Sequence, residues 1–162
     1  MVLLALAGIL TICAACDRGP EPPPAPPETF TATAKIRAGE VRMEATLLQE
    51  RPGCLRAEFS APAEIEGMVL ELSETAARLT FGETEQAWST DALPESGFMR
   101  LLRHALLRMR AEGASAAPEA DGGWTLGGQS GAYLYTALLG EDGRLRRLDA
   151  PKAEVEVELT YF

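Results

Sequence analysis

The sequence holds a single histidine, His104, and that scarcity removes most catalytic and metal-binding constellations. A nucleophile triad needs an imidazole beside its nucleophile, and a zinc site needs several ligands at set spacing; no such partners flank His104. Cysteine is nearly as scarce. Cys13 and Cys16 lie at the end of an N-terminal apolar run, which leaves Cys54 with no partner for an intrachain disulfide, so stability must come from the core. No apolar run is long enough to cross a membrane: Val2 to Ile12 is eleven residues, against the roughly 20 of a spanning helix. Basic charge is also in deficit. A net charge of −9 argues against a general nucleic-acid binder. The glycine-rich "GGQSG" at 127–131 lacks the lysine and the following helix of a phosphate loop, so a β-turn is expected there. No catalytic residue, metal site or cofactor is expected, and the reading is non-enzymatic.

What is present begins with "TICAACDRGPEPPPAPPE". A short apolar core that ends in two small residues before a cysteine suits a signal peptidase, and "CAAC" resembles a lipoprotein signal box whose cysteine after the cut receives a lipid. It departs from that box in having Cys13 where leucine is usual and no Lys or Arg within Met1 to Ala7. A cut before Cys13 would put the large Ile12 against a small-residue pocket. The expectation is a signal peptide over 1–15, a lipidated Cys16 within a proline-rich stalk over 16–28, and one domain over 29–162. Removing the signal leaves 162 − 15 = 147 residues, enough for one core. From Asp17 to Glu28 half of the residues are proline, which favours an extended chain without internal hydrogen bonds. Asp17 directly after the lipidated cysteine resembles a retention signal, and the expected location is the outer, extracytoplasmic face of the cell membrane.

Beyond the stalk the pattern alternates. Phe30, Ala32, Ala34 and Ile36 share one face of "TFTATAKIRA", and Val41, Met43, Ala45 and Leu47 share one face of "VRMEATLLQE", so the two runs predict a hairpin around "AGE". "CLRAEFS", "GMVLELS", "ARLTFG" and "QAWST" continue as short strands of an antiparallel meander. One helical signal stands out. In "GFMRLLRHALLRMR", Gly97 to Arg110, the residues Phe98, Leu102, Ala105, Leu106 and Met109 recur at helical spacing, with Arg100, Arg103, His104, Arg108 and Arg110 on the opposite arc. Ser96 or Glu95 is placed to cap its start and Gly113 to end it. The basic arc reads as a salt-bridged cover over an acidic sheet or as a contact for anionic head groups, with His104 an exposed member. "GWTLGG", "GAYLYTALLG" and "KAEVEVELTYF" complete the strands, with a tight turn at "EDG". Glu154, Glu156 and Glu158 mark the outer face of the last strand, because like charges at spacing two repel unless they are solvated or matched. Cys54 reads as a small buried thiol.

This order of strands, with "FSAPAEIEGMVLELSETAARLTFG" in the third to fifth strands, a helix in mid-chain and "DGRLRRLDAP" before a final strand, resembles the LolA/LolB-like lipoprotein-carrier superfamily from about Thr29 to Phe162. The resemblance implies an α+β, mainly β fold: a single curved antiparallel sheet, an incomplete half-barrel, with a helix covering its concave face, where relatives hold acyl chains. Relatives place a helix before the first strand, whereas here the stalk runs directly into Phe30, which argues against a complete lid. The function so implied is a membrane-anchored, monomeric binding protein that takes an acyl chain or a lipidated protein, with its membrane contact through the lipid on Cys16. Candidate lining residues are Phe59, Met68, Leu70, Leu72, Phe81 and Trp88 from the strands and Phe98, Leu102, Leu106 and Met109 from the helix. All of these serve equally as ordinary core. The alternative is therefore an envelope scaffold or partner-binding lipoprotein with a filled interior.

Overall fold

The computed structural model describes residues 23–111, 114 and 116–162; the expected signal segment, Cys16 and Gly113 lie outside the described residues. Period-two alternation yields β1 (Phe30–Ala38), β2 (Val41–Arg51) and β3 (Cys54–Ala61), then β4 (Val69–Leu72), β5 (Ala76–Phe81) and β6 (Thr84–Ser89). The helix α1 (Phe98–Arg108) follows. The chain ends with β7 (Ala116–Pro118), β8 (Trp124–Ser130), β9 (Tyr133–Leu139), β10 (Leu145–Ala150) and β11 (Val155–Tyr161). All pair antiparallel in one 11-stranded sheet of order β6-β5-β4-β3-β2-β1-β11-β10-β9-β8-β7. The two ends do not meet, and α1 is the segment of chain that leads from one edge strand to the other.

This is the curved sheet with a helical cover expected from the sequence. The helix packs against β3, β8, β10 and β11 and buries Met99, Leu101, Leu102, Ala105 and Leu106. Beneath it the sheet presents Ala32, Ala34, Ala45, Ala57, Ala137 and Ala150, all buried, alongside Leu47, Leu148 and Val157. Small and large apolar residues alternate on this face, and together with the helix they form one buried core. Every buried side-chain N or O atom among the described residues has a hydrogen-bond partner.

Several local expectations are corrected. The helix starts at Phe98 with Gly97 as its N-cap and no side-chain cap bond. Ser96 does not cap it, and Glu95 instead accepts a 3.3 Å hydrogen bond from the Ala132 amide in the β8–β9 turn. "GGQSG" is mostly strand. Gly127 to Ser130 pair with β9 as part of β8, and the Tyr135 ring lies where a Gly128 side chain would stand, a place that suits glycine. Glu154 is not part of the last strand: it takes a left-handed conformation, φ 55°, ahead of β11.

Candidate functional site

In antiparallel pairs, residues directly opposite one another share a face. From the buried β3 this rule carries the concave face outward to the free edge. Leu55 opposes Leu72, Leu72 opposes Ala77, and Ala77 opposes Trp88; one step along, Ala57 opposes Leu70, Leu70 opposes Leu79, and Leu79 opposes Gln86. Phe81 lies two residues beyond Leu79 on the same face and opposes Thr84. Leu72 and Ala77 are buried, Met68, Leu70 and Leu79 are half-buried, and Phe81 and Trp88 are 46% and 36% exposed. The principal contacts of α1 lie on the other side of this wing. At the boundary Phe98, at the start of α1, meets Phe59 of β3 edge to face, with ring centroids 6.1 Å apart. The concave face is therefore closed under α1 and open over β4 to β6, where it is apolar except for Thr84 and Gln86 on the edge strand.

The candidate residues divide along that line. Phe59, Leu72, Leu102 and Leu106 are buried core, and Phe98 and Met109 are half-buried beside it. Met68, Leu70, Phe81 and Trp88 form the open wing, together with Leu79. The alternation Ala77, Leu79, Phe81 in "ARLTF" was the signal that marked Leu79, which the lining set above leaves out. Two surface grooves, of about 490 and 330 Å³, both lie on the outer face. The first is lined by the charged Lys35, Arg37, Arg42, Glu44, Glu156 and Glu158 together with Ile36, Met43, Ala61 and Pro62. There Glu156 accepts from Arg37 at 2.9 Å and lies 2.6 Å from Arg147. The Arg37 hydrogen bond holds the Glu156 carboxyl below its ordinary range, with the charges of Arg147 and Arg37 assisting against partial desolvation. The glutamates of β11 are thus matched by cations as well as solvated. The second groove includes Cys54, which is half-buried, with the Arg51 guanidinium 3.0 Å from its sulfur.

The basic arc of α1 serves a purpose that the sequence does not announce. Arg100 donates to the Leu93 carbonyl at 2.7 Å, Arg103 to the Gly53 carbonyl at 2.9 Å and Arg110 to the Pro26 carbonyl at 2.8 Å. None of these arginines forms an ion pair among the described residues, so the expected salt-bridged cover is replaced by clips onto backbone. His104 is not a free surface group either. Its Nδ1 shares a 2.9 Å hydrogen bond with the Tyr135 hydroxyl. Burial pulls the imidazole below its usual range, with Arg108 and Arg103 adding to the effect, and burial pushes the Tyr135 hydroxyl up to about 12. The pair therefore stays neutral near pH 7 and fastens α1 to β9.

No family model and no curated protein matches the sequence. Among solved structures, the chain is similar to an uncharacterised conserved protein from Thermus thermophilus, at 16% identity over 82% of this chain and 79% of that one, with a TM-score of 0.46. It is also similar to a LolA superfamily protein from Nitrosomonas europaea, at 12% identity over 86% of each chain, with a TM-score of 0.47. These are likenesses of fold alone.

Proposed function

We propose that this chain is a membrane-anchored, extracytoplasmic lipoprotein without catalytic activity, whose half-barrel binds an acyl chain on the open wing of its concave face. One observation carries the reading. Leu70, Leu79, Phe81 and Trp88, with Met68, form a continuous apolar strip on the core face that no element of the fold covers fully. Exposed apolar area of this kind costs free energy in water, roughly 25 cal/mol per Å², and an apolar ligand laid along it recovers that free energy. The closed half supplies a rigid floor that need not open. Anchoring rests on the sequence at Cys16, and Cys16→Ser should release the protein from membranes into a carbonate wash.

The test of binding is a titration with a fluorescent fatty acid. Leu79→Ser and Phe81→Ser should each weaken binding while the thermal melt shifts little, because neither side chain belongs to the filled interior. A second reading, a partner-binding lipoprotein, is favoured by the complete filling beneath α1. Wild-type protein that binds no acyl probe would leave that reading in place of the first.

A further inference from the structure

The strands divide the molecule into two poles. At one lie the β2–β3 and β9–β10 turns and the C-terminal end of α1; at the other lie the β1–β2 and β5–β6 turns and the β3–β4 and β10–β11 connections. The described part of the proline-rich segment is laid across the first pole rather than running free from it. Pro26 is buried and its carbonyl accepts from Arg110. The Glu28 carbonyl accepts at 2.9 Å from the side chain of Gln49, which is itself only 1% exposed, so a buried amide is committed to holding this segment. The Pro24 carbonyl packs against Gly143 in the β9–β10 turn, where φ is +72° and a side chain would collide with it.

We propose that this docked strap fixes which end of the molecule faces the membrane: the pole of Gly143 and Arg110 toward the lipid surface, the pole of Glu83 away from it. The proposal rests on the lipid anchor at Cys16. From Cys16 to Pro24 is eight residues, which reach about 28 Å when fully extended. The distance between poles is set by strands such as β2, whose 11 residues span about 35 Å. A leash that short does not let the far pole touch the bilayer. Freed back to Phe30 it would comprise fourteen residues and reach about 49 Å, enough to permit either orientation.

The experiment uses the lipidated chain in anionic vesicles that contain head-group spin-labelled lipid, in a Cys54→Ser background. A fluorophore is placed at Glu141→Cys in the near pole or at Glu83→Cys in the far pole. The Glu141 label should lose the larger fraction of its emission. Inserting a ten-residue Gly-Ser spacer after residue 22 leaves the strap and the fold intact, and should abolish most of the difference. Equal quenching with the native leash would overturn the proposal, and a difference that survives the spacer unchanged would overturn the leash as its cause. Flotation of the same samples reports the anchor separately: protein that does not float with vesicles removes the anchor and the orientation together, whereas floating protein with equal quenching removes the orientation only.

Discussion

The half of the concave face under α1 and the wing over β4 to β6 are built from the same alternating strands, yet one is sealed and the other is open. Around the helix, Ala32, Ala34, Ala45 and Ala57 of the sheet are buried, and Leu101 and Leu102 are 0% exposed. On the wing, Leu79, Phe81 and Trp88 occupy equivalent core-facing positions without a helix above them. Apolar character at the strand level is therefore common to both. What separates the sealed half from the open wing is the path of α1, whose arginines and His104 are hydrogen-bonded to other segments.

Truncation should separate the two halves most sharply. Leu102→Ala, in the sealed half, should cost about 2–5 kcal/mol in a denaturant or thermal melt, since both transfer and a residual cavity count. Trp88→Ala or Phe81→Ser should cost far less, and a loss as large as that of Leu102→Ala would erase the distinction. Next in size, Gln49→Leu leaves the Glu28 carbonyl without its partner and should destabilise by about 1–3 kcal/mol, with faster proteolysis near residues 24–28. Arg103→Ala and Tyr135→Phe each remove one fastening of α1 and should cost about 0.5–1.5 kcal/mol. The smallest effect is a pH slope. Because His104 binds its proton less readily when folded than when unfolded, the unfolded chain protonates first as pH falls. Stability should be full above about pH 6.5 and decline below it until the folded imidazole also titrates. His104→Gln should flatten that part of the curve, and an unchanged slope would assign it to other groups.

The strands of the first half were legible because side chains at spacing two need only a single buried face, and β1, β2 and β3 keep that register. β10 was hidden by a bulge. Its register shifts between Leu145 and Arg147, so the buried Leu145 and Leu148 stand three apart and the alternation breaks. β7 has three residues, one of them Pro118, too little for any periodic signal. The helix was visible from its apolar arc, but amphipathicity states only which side is wet. It does not show that Arg100, Arg103 and Arg110 would reach carbonyls of other segments, because those partners come from distant parts of the chain. The same limit applies to the candidate site. Composition identified Phe81 and Trp88 as apolar and strand-borne, whereas their exposure depends on the route taken by α1 between the sheet edges.

The most direct test of an open apolar wing that takes an acyl chain reads Trp88 itself. With Trp124→Phe, Trp88 is the remaining tryptophan of the chain, and a brominated fatty acid should quench its emission in a saturable titration. In the reciprocal variant, Trp88→Phe, emission from Trp124 of β8 should be spared at the same concentrations. Saturable quenching of Trp124 with Trp88 untouched would place the ligand elsewhere, and no saturable quenching of either would contradict the account.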